Sequence, residues 1–186
     1  MKVILASASP RRKELLHRIF EDFEIIPADI EEIVPEDLKA EEQAEYLSGL
    51  KARHLAEKYP DALVIGSDTT VILDGEVMGK PVDEEDAKRM LSKLSGLVHT
   101  VVTGCTCCYQ GQERSFSESV DVEFYPMTDQ EIDDYIKTGD PMDKAGAYGI
   151  QNQGGLFVKG IQGDYNAVIG LPVAHLYHVI KDIMQE

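Results

Sequence analysis

Cations are scarce in this chain: 18 lysines and arginines stand against 34 aspartates and glutamates over 186 residues, a formal net charge of −16. That balance argues against broad binding to a nucleic-acid duplex or to an anionic membrane surface. Cysteine is scarcer still. Its three copies, Cys105, Cys107 and Cys108, share one stretch, too close together for an ordinary disulfide framework, and they read as reduced thiols of a strand or core. The sequence contains no apolar run of about 18 residues, and no charged-then-apolar leader stands at Met1. Neither a spanning helix nor a secretory signal is expected, and the expected location is the cytoplasm. Several motifs are missing too: G-x-x-x-x-G-K-[ST], G-x-G-x-x-G after a strand, G-x-S-x-G, and any Cys/His zinc spacing. The five histidines form no recognisable cluster.

What is present suffices for a sizeable core. The apolar fraction is 43% and the mean hydropathy −0.22, and no repeat, low-complexity tract or linker divides the chain. One domain over residues 1–186 is expected. Lys2 to Ala6 reads as a buried strand, Pro10 to Phe20 as a helix and Phe23 to Ile26 as a second strand. A helix from Glu41 to Tyr59 and apolar strand from Ala62 to Leu73, as one long strand or a pair, follow. An Asp74-Gly75 turn leads into Glu76-Val77-Met78. Asp83 should cap a helix to Leu94 whose inward face is Ala87, Met90, Leu91 and Leu94. Val98 to Tyr109 and Arg114 to Phe124 read as a hairpin across Gln110-Gly111-Gln112. Thr128 with Glu131 makes a capping box, and Pro172 should sit in the first turn of a last helix reaching about Met184. Interleaved helices and both kinds of strand predict a mixed α/β fold with a large, twisted central sheet flanked by helices.

Some residues break these local rules. Ser9 and Pro10 open the first helix, so Arg11 and Arg12 fall in its first turn. Two cations beside the positive end of a helix are misplaced by roughly 0.3–1 kcal/mol each. A solvated basic turn explains them, and so does a phosphate cradle made of Ser7, Ser9, the backbone amides and both guanidinium groups. Ala44, Leu47, Lys51 and Leu55 are spaced by three and four, which puts Lys51 on an apolar face. It either snorkels along a groove or points inward at an anion. Lys80 sits in Gly79-Lys80-Pro81, where the proline stiffens its loop. Asp68 interrupts an apolar strand and requires a cation, a metal or several hydrogen bonds. Glu31-Glu32 are either surface residues or further hard oxygen ligands for Mg²⁺ or Mn²⁺.

Taken together, Ser7-Ala8-Ser9-Pro10-Arg11-Arg12, Glu32, Lys51-Ala52, Gly66-Ser67-Asp68-Thr69, Gly79-Lys80-Pro81, Asp143 to Gln151, Gly163-Asp164-Tyr165-Asn166 and Gly170-Leu171-Pro172 resemble the Maf-type nucleoside triphosphate pyrophosphatases, first described as septum-formation inhibitors. The pieces are ordered over the whole chain. The resemblance implies a Maf/ITPase-like fold with two lobes and an active-site cleft between them. It implies a cytoplasmic enzyme that hydrolyses a nucleoside triphosphate to the monophosphate and pyrophosphate with a divalent metal, and a homodimer as a family-level expectation. Arg11, Thr69 and Gln151 look like the subgroup that acts on dTTP and UTP. Glu32 and Asp68 would hold the metal; Asp68 is first a general base and second a ligand. Arg12, Lys51 and Lys80 would neutralise phosphate charge. Asn152-Gln153 stands where relatives have Gly-Leu, a departure in the loop beside the base. Two rivals follow: a nucleotide-binding regulator of cell division without turnover, and a phosphatase that releases inorganic phosphate.

Overall fold

The computed structural model describes residues 1–185. Its seven-stranded mixed sheet runs β2-β1-β3-β5-β6-β7, with β4 attached to β3. The strands are β1 (Val3–Ala6), β2 (Glu24–Ile25), β3 (Leu63–Leu73), β4 (Glu76–Met78), β5 (Val98–Tyr109), β6 (Gln112–Phe124) and β7 (Val158–Gln162). The helices are α1 (Pro10–Leu16), α2 (Ala40–Lys58), α3 (Glu84–Leu94), α4 (Asp129–Lys137), α5 (Tyr165–Ile169) and α6 (Val173–Ile183). Two compact units emerge. Among the described residues, the first takes 1–69, 103–118 and the segment from 170 onward, and the second 70–102 and 119–169.

In the first unit, β1 runs parallel to both β2 and β3, with Ala6 opposite Gly66. β1 ends at this level while β3 runs on to Leu73, so Ser7 and the segment after it lie beside Ser67, Asp68 and Thr69 at the carboxyl end of β1, the usual ligand side of such sheets. The next determinant is backbone approach. A Cβ on Gly66 would lie 2.2 Å from the Ser48 carbonyl oxygen, and one on Gly104 would lie 2.3 Å from the Glu45 nitrogen. Helix α2 therefore rests on bare strand backbone, and two glycines permit it. Beside these glycines small hydroxyls pair, Ser48 with Thr106 at 2.8 Å and Thr106 with Ser115 at 2.9 Å, and further along the same face Ala52 and Leu55 of α2 pack with Ile4, Ala6, Val64 and Cys108.

The second unit has its own apolar core, in which Leu91 and Leu94 of α3 meet Val101, Val120, Phe124, Ile132 and Tyr135. Each fully buried aliphatic side chain of this kind contributes about 1.5–3 kcal/mol. The expected caps are present: Asp83 accepts the Asp86 amide at 2.8 Å, and Thr128 with Glu131 forms a reciprocal capping box on α4. Asp74-Gly75 and Gln110-Gly111 all have positive φ, as two-residue hairpin turns demand.

Of the two readings of the apolar stretch ending at Leu73, the single long strand is realised, over residues 63–73. Other boundaries differ from expectation: β2 keeps only Glu24–Ile25, and β6 starts at Gln112 because the turn takes only two residues. Helix α1 stops at Leu16, where Arg18 and Ile19 donate to the carbonyls of Leu15 and Leu16, tightening the chain into i→i+3 bonds. Pro172 is the N-cap of α6, one position before the first turn. All three thiols are buried and unpaired. Among the described residues, no helix is long and apolar enough to cross a membrane.

Candidate active site

Side chains alternate along β3, and this alternation sorts the chemistry of the first unit. Gly66 and Asp68 face α2, while Ser67 and Thr69 face the other way. Lys51 lies one turn beyond Ser48 on α2 and meets Asp68 there: its Nζ is 2.5 Å from Asp68 Oδ1 and 3.0 Å from Glu32 Oε1. The side chains of Lys51 and Asp68 are 11% and 14% exposed, whereas Glu32 is 47% exposed. The close pair is largely shielded from water and the second carboxylate remains wet. Of the two sequence-level alternatives for Lys51, the structure realises the inward one: the ammonium sits between two carboxylates.

The opposite face collects hydroxyls around Arg12. Its Nε donates to the Gly170 carbonyl at 2.8 Å, one terminal nitrogen to Ser7 Oγ at 3.2 Å and the other to Thr69 Oγ1 at 3.0 Å. Ser67 Oγ donates to the same Gly170 carbonyl at 3.0 Å, and Thr69 shares a 2.8 Å bond with Thr103. These three acceptors for Arg12 are neutral, so the guanidinium is held in place without being discharged. Burial pushes its pKa below the usual arginine value, partly offset by the field of Asp68. A guanidinium nevertheless stays charged. Ser7 Oγ also accepts the Ser9 amide at 3.2 Å. With both lone pairs of Ser7 engaged, its hydroxyl proton is left to donate outward, as to a phosphate oxygen. Ser9 is the N-cap of α1 and accepts the Arg12 amide at 3.4 Å.

Seven of the sequence-derived site residues besides Arg11 thus gather in this unit: Ser7, Ser9, Arg12, Glu32, Lys51, Asp68 and Thr69. Arg11 follows Pro10 in the first turn of α1. Glu31 is exposed, and its carbonyl accepts the Ile33 amide at 3.0 Å. Sequence reasoning missed Thr103 and the Gly170 carbonyl. The first is one hydroxyl among many in a strand, and a backbone oxygen has no residue signature.

Lys80 and Gln151 belong to the second unit and both are exposed. The loop of Lys80 is tied down by the Gly146 amide, which donates to the Gly79 carbonyl at 3.1 Å. Gly146 has φ +68°, and a Cβ there would lie 2.9 Å from the Val71 side chain. Gln151 follows Tyr148, a buried ring whose hydroxyl is 2.7 Å from His99 Nε2. His99 packs edge-on against Phe124 and Tyr148 with ring centroids 4.8 and 5.4 Å away, and its Nδ1 is buried without a partner among the described residues. Burial pushes the His99 pKa down to about 4, with Asp121 opposing.

Another group in this unit also escaped sequence reasoning. Lys144 is buried, and its Nζ donates to the Asp140 carbonyl at 2.7 Å, to Asp140 Oδ1 at 2.8 Å and to Asp143 Oδ1 at 2.8 Å. The Asp-Lys pair at 143–144 was legible as part of a motif, but Asp140 carried no signal of its own. Among the described residues, no group of three or more His, Cys, Asp or Glu is placed to hold a metal.

A family model described as Maf-like protein matches residues 2–183. The chain is 48% identical over 199 residues to a protein of Agathobacter rectalis named dTTP/UTP pyrophosphatase, covering 98% of this chain and 97% of that one. A Carboxydothermus hydrogenoformans protein of the same name is 50% identical over 184 residues, covering 98% of each. Among solved structures, a HAM1 protein from Coxiella burnetii matches with a TM-score of 0.55 at 13% identity, over 98% of this chain and 99% of that one, which is a likeness of fold. Matched from end to end by family and relatives alike, the chain belongs to the Maf-like protein family.

Proposed function

We propose that this protein hydrolyses UTP and dTTP to the nucleoside monophosphate and pyrophosphate. The observation that carries the proposal is the Lys51 ammonium between Asp68 and Glu32, in a chain whose relatives at 48% and 50% identity are named for that activity. In this reaction a water oxygen bonds to the α-phosphorus, the bond from that phosphorus to the pyrophosphate oxygen breaks, and the proton of the water passes to a base. Asp68 is that base: its bond to Lys51 engages Oδ1, and a carboxylate has a second oxygen with which to receive a proton. Arg12, Lys51 and Lys80 neutralise charge that develops on the phosphates. Ser7 and Ser9 add hydroxyl donors, and Arg11, Thr69 and Gln151 select the pyrimidine.

The donor set suits a divalent cation. Two carboxylates converge on one cationic atom, Lys51 Nζ, and Mg²⁺ is commonly held by one or two carboxylates with waters and substrate phosphates completing its shell. Glu32 and Asp68 would hold it, and it would supply positive charge to the phosphate oxygens. The buried, unpaired thiols suit a reducing compartment, and we assign the protein to the cytoplasm.

The test incubates purified protein with Mg²⁺ or Mn²⁺ and with UTP, dTTP, CTP and GTP in turn, and resolves the products. UMP with pyrophosphate, formed faster from UTP than CMP from CTP, is the expected result. UDP with inorganic phosphate would make the protein a phosphatase, and no turnover of any nucleotide would make it a binding protein.

A further inference from the structure

Gln151 is an exposed side chain with several rotatable bonds, and a glutamine that reads a base edge needs its backbone fixed. Both flanks of Gln151 lead to one carboxylate. On one side the Gly149 amide donates to Tyr135 Oη at 3.0 Å, and that hydroxyl donates to Asp140 Oδ2 at 2.5 Å. On the other side Asn152 Nδ2 donates to Asp140 Oδ1 at 2.6 Å. Lys144 holds the carboxylate in turn, through its bonds to Asp140 Oδ1 and to the Asp140 carbonyl.

The loop is also packed without slack. A Cβ on Gly149 would lie 2.5 Å from Lys144 Cε, one on Gly154 would lie 2.7 Å from Tyr135 Oη, and one on Gly155 would lie 2.3 Å from the Ile150 carbonyl oxygen. Burial alone would raise the Asp140 pKa, yet the bonds from Lys144, Tyr135 and Asn152 hold the carboxyl below its usual range. It is therefore an acceptor for all three donors at neutral pH.

We infer that Asp140 is a positioning residue for base discrimination: its two oxygens hold both flanks of Gln151, one through the Tyr135 hydroxyl that accepts the Gly149 amide and one through the Asn152 side chain, the clamp's outer arm. The inference rests on Gln151 reading the pyrimidine, as proposed above. A side chain that bonds a carboxylate stiffens a position where glycine would leave the backbone free.

The experiment compares wild type, Asn152→Ala, Asn152→Asp and Gln151→Glu. Asn152 is exposed, so its variants should fold, which protects the test from the collapse that loss of Asp140 beside a buried Lys144 could bring. For each protein, kcat and KM are measured with UTP and CTP, and amide hydrogen exchange is followed over residues 149–155. Asn152→Ala should lower the UTP-over-CTP ratio of kcat/KM by about 3- to 10-fold, the scale of one ordinary hydrogen bond. KM for UTP should rise more than kcat falls, and exchange in the loop should accelerate. Asn152→Asp, which sets a second carboxylate against Asp140, should do more on both counts. If Gln151→Glu shifts the ratio while Asn152→Ala moves neither ratio nor exchange, the clamp is refuted and the base reading stands. A Gln151→Glu protein with an unchanged ratio overturns the base reading and, with it, the inference.

Discussion

Acidification should weaken this fold through one histidine. His99 is 1% exposed, packs edge-on against the rings of Phe124 and Tyr148, and has a pKa pushed down to about 4 by burial. In the unfolded chain it titrates near its ordinary 6.5. Above pH 6.5 both states are neutral at this site and stability is undiminished. As pH falls from 6.5 towards 4 the unfolded chain takes up a proton that the native protein refuses, so stability declines by up to about 1.4 kcal/mol per pH unit. The integrated loss is about 2.5 kcal/mol at pH 4.5, a large part of the 5–15 kcal/mol that holds a typical domain together. The assay is urea unfolding followed by circular dichroism at intervals from pH 7.5 to 4.5, for wild type and His99→Gln. Glutamine can still meet the Tyr148 hydroxyl but has no proton to gain. Carboxylates titrate in both proteins and cancel in the difference, so wild type should lose about 2.5 kcal/mol more than the variant over this range. Parallel curves would refute the argument and show that native His99 accepts its proton.

Three further outcomes follow from the first unit. Asp68→Asn should cut kcat at least about 100-fold, as loss of a general base does, with circular dichroism unchanged; a variant keeping a tenth of wild-type kcat would remove Asp68 from that role. Lys51→Ala should depress kcat/KM for UTP, dTTP and CTP by one common factor, because phosphates are common to all three; an altered UTP-over-CTP ratio would refute its assignment to phosphate. Gly66→Ala should cost about 1–3 kcal/mol or more by urea unfolding, since its new methyl would lie 2.2 Å from the Ser48 carbonyl oxygen, and a change below about 0.5 kcal/mol would show that α2 can retreat from the sheet.

What could be read from the sequence was what repeats or breaks a period. Lys51 was visible because it shares the three-four spacing of Ala44, Leu47 and Leu55, all of which are buried. Asp68 was visible because it is a charge inside an apolar strand, and Thr128 because its capping partner stands three residues on. The stretch from 138 to 163 was readable only through its motif resemblance. It is built of short 3₁₀ turns over Asp140–Asp143, Ala145–Ala147 and Gln153–Phe157, whose bonds are local and whose packing depends on close approach rather than on an apolar stripe. β7 follows with four of its five residues exposed, an edge strand with no alternation to betray it. Asp140 shows the same limit from the side of chemistry, since its partners are 4, 5 and 12 residues away and follow no common period.

The chain order of the first unit has a consequence for synthesis. Arg12 is anchored by the carbonyl of Gly170, 158 residues further on, and Ser67 donates to that same oxygen. As the polypeptide leaves the ribosome, the stretch that makes up the second unit is complete once residue 169 has emerged, whereas the first unit still lacks its third segment. Local structure in α3, α4 and the hairpins can form early, because its contacts are close in sequence. The cationic centre cannot. A nascent chain therefore lacks the Gly170 anchor of Arg12 until that residue arrives, and any truncation before Gly170 leaves that guanidinium and the Ser67 hydroxyl without their common acceptor.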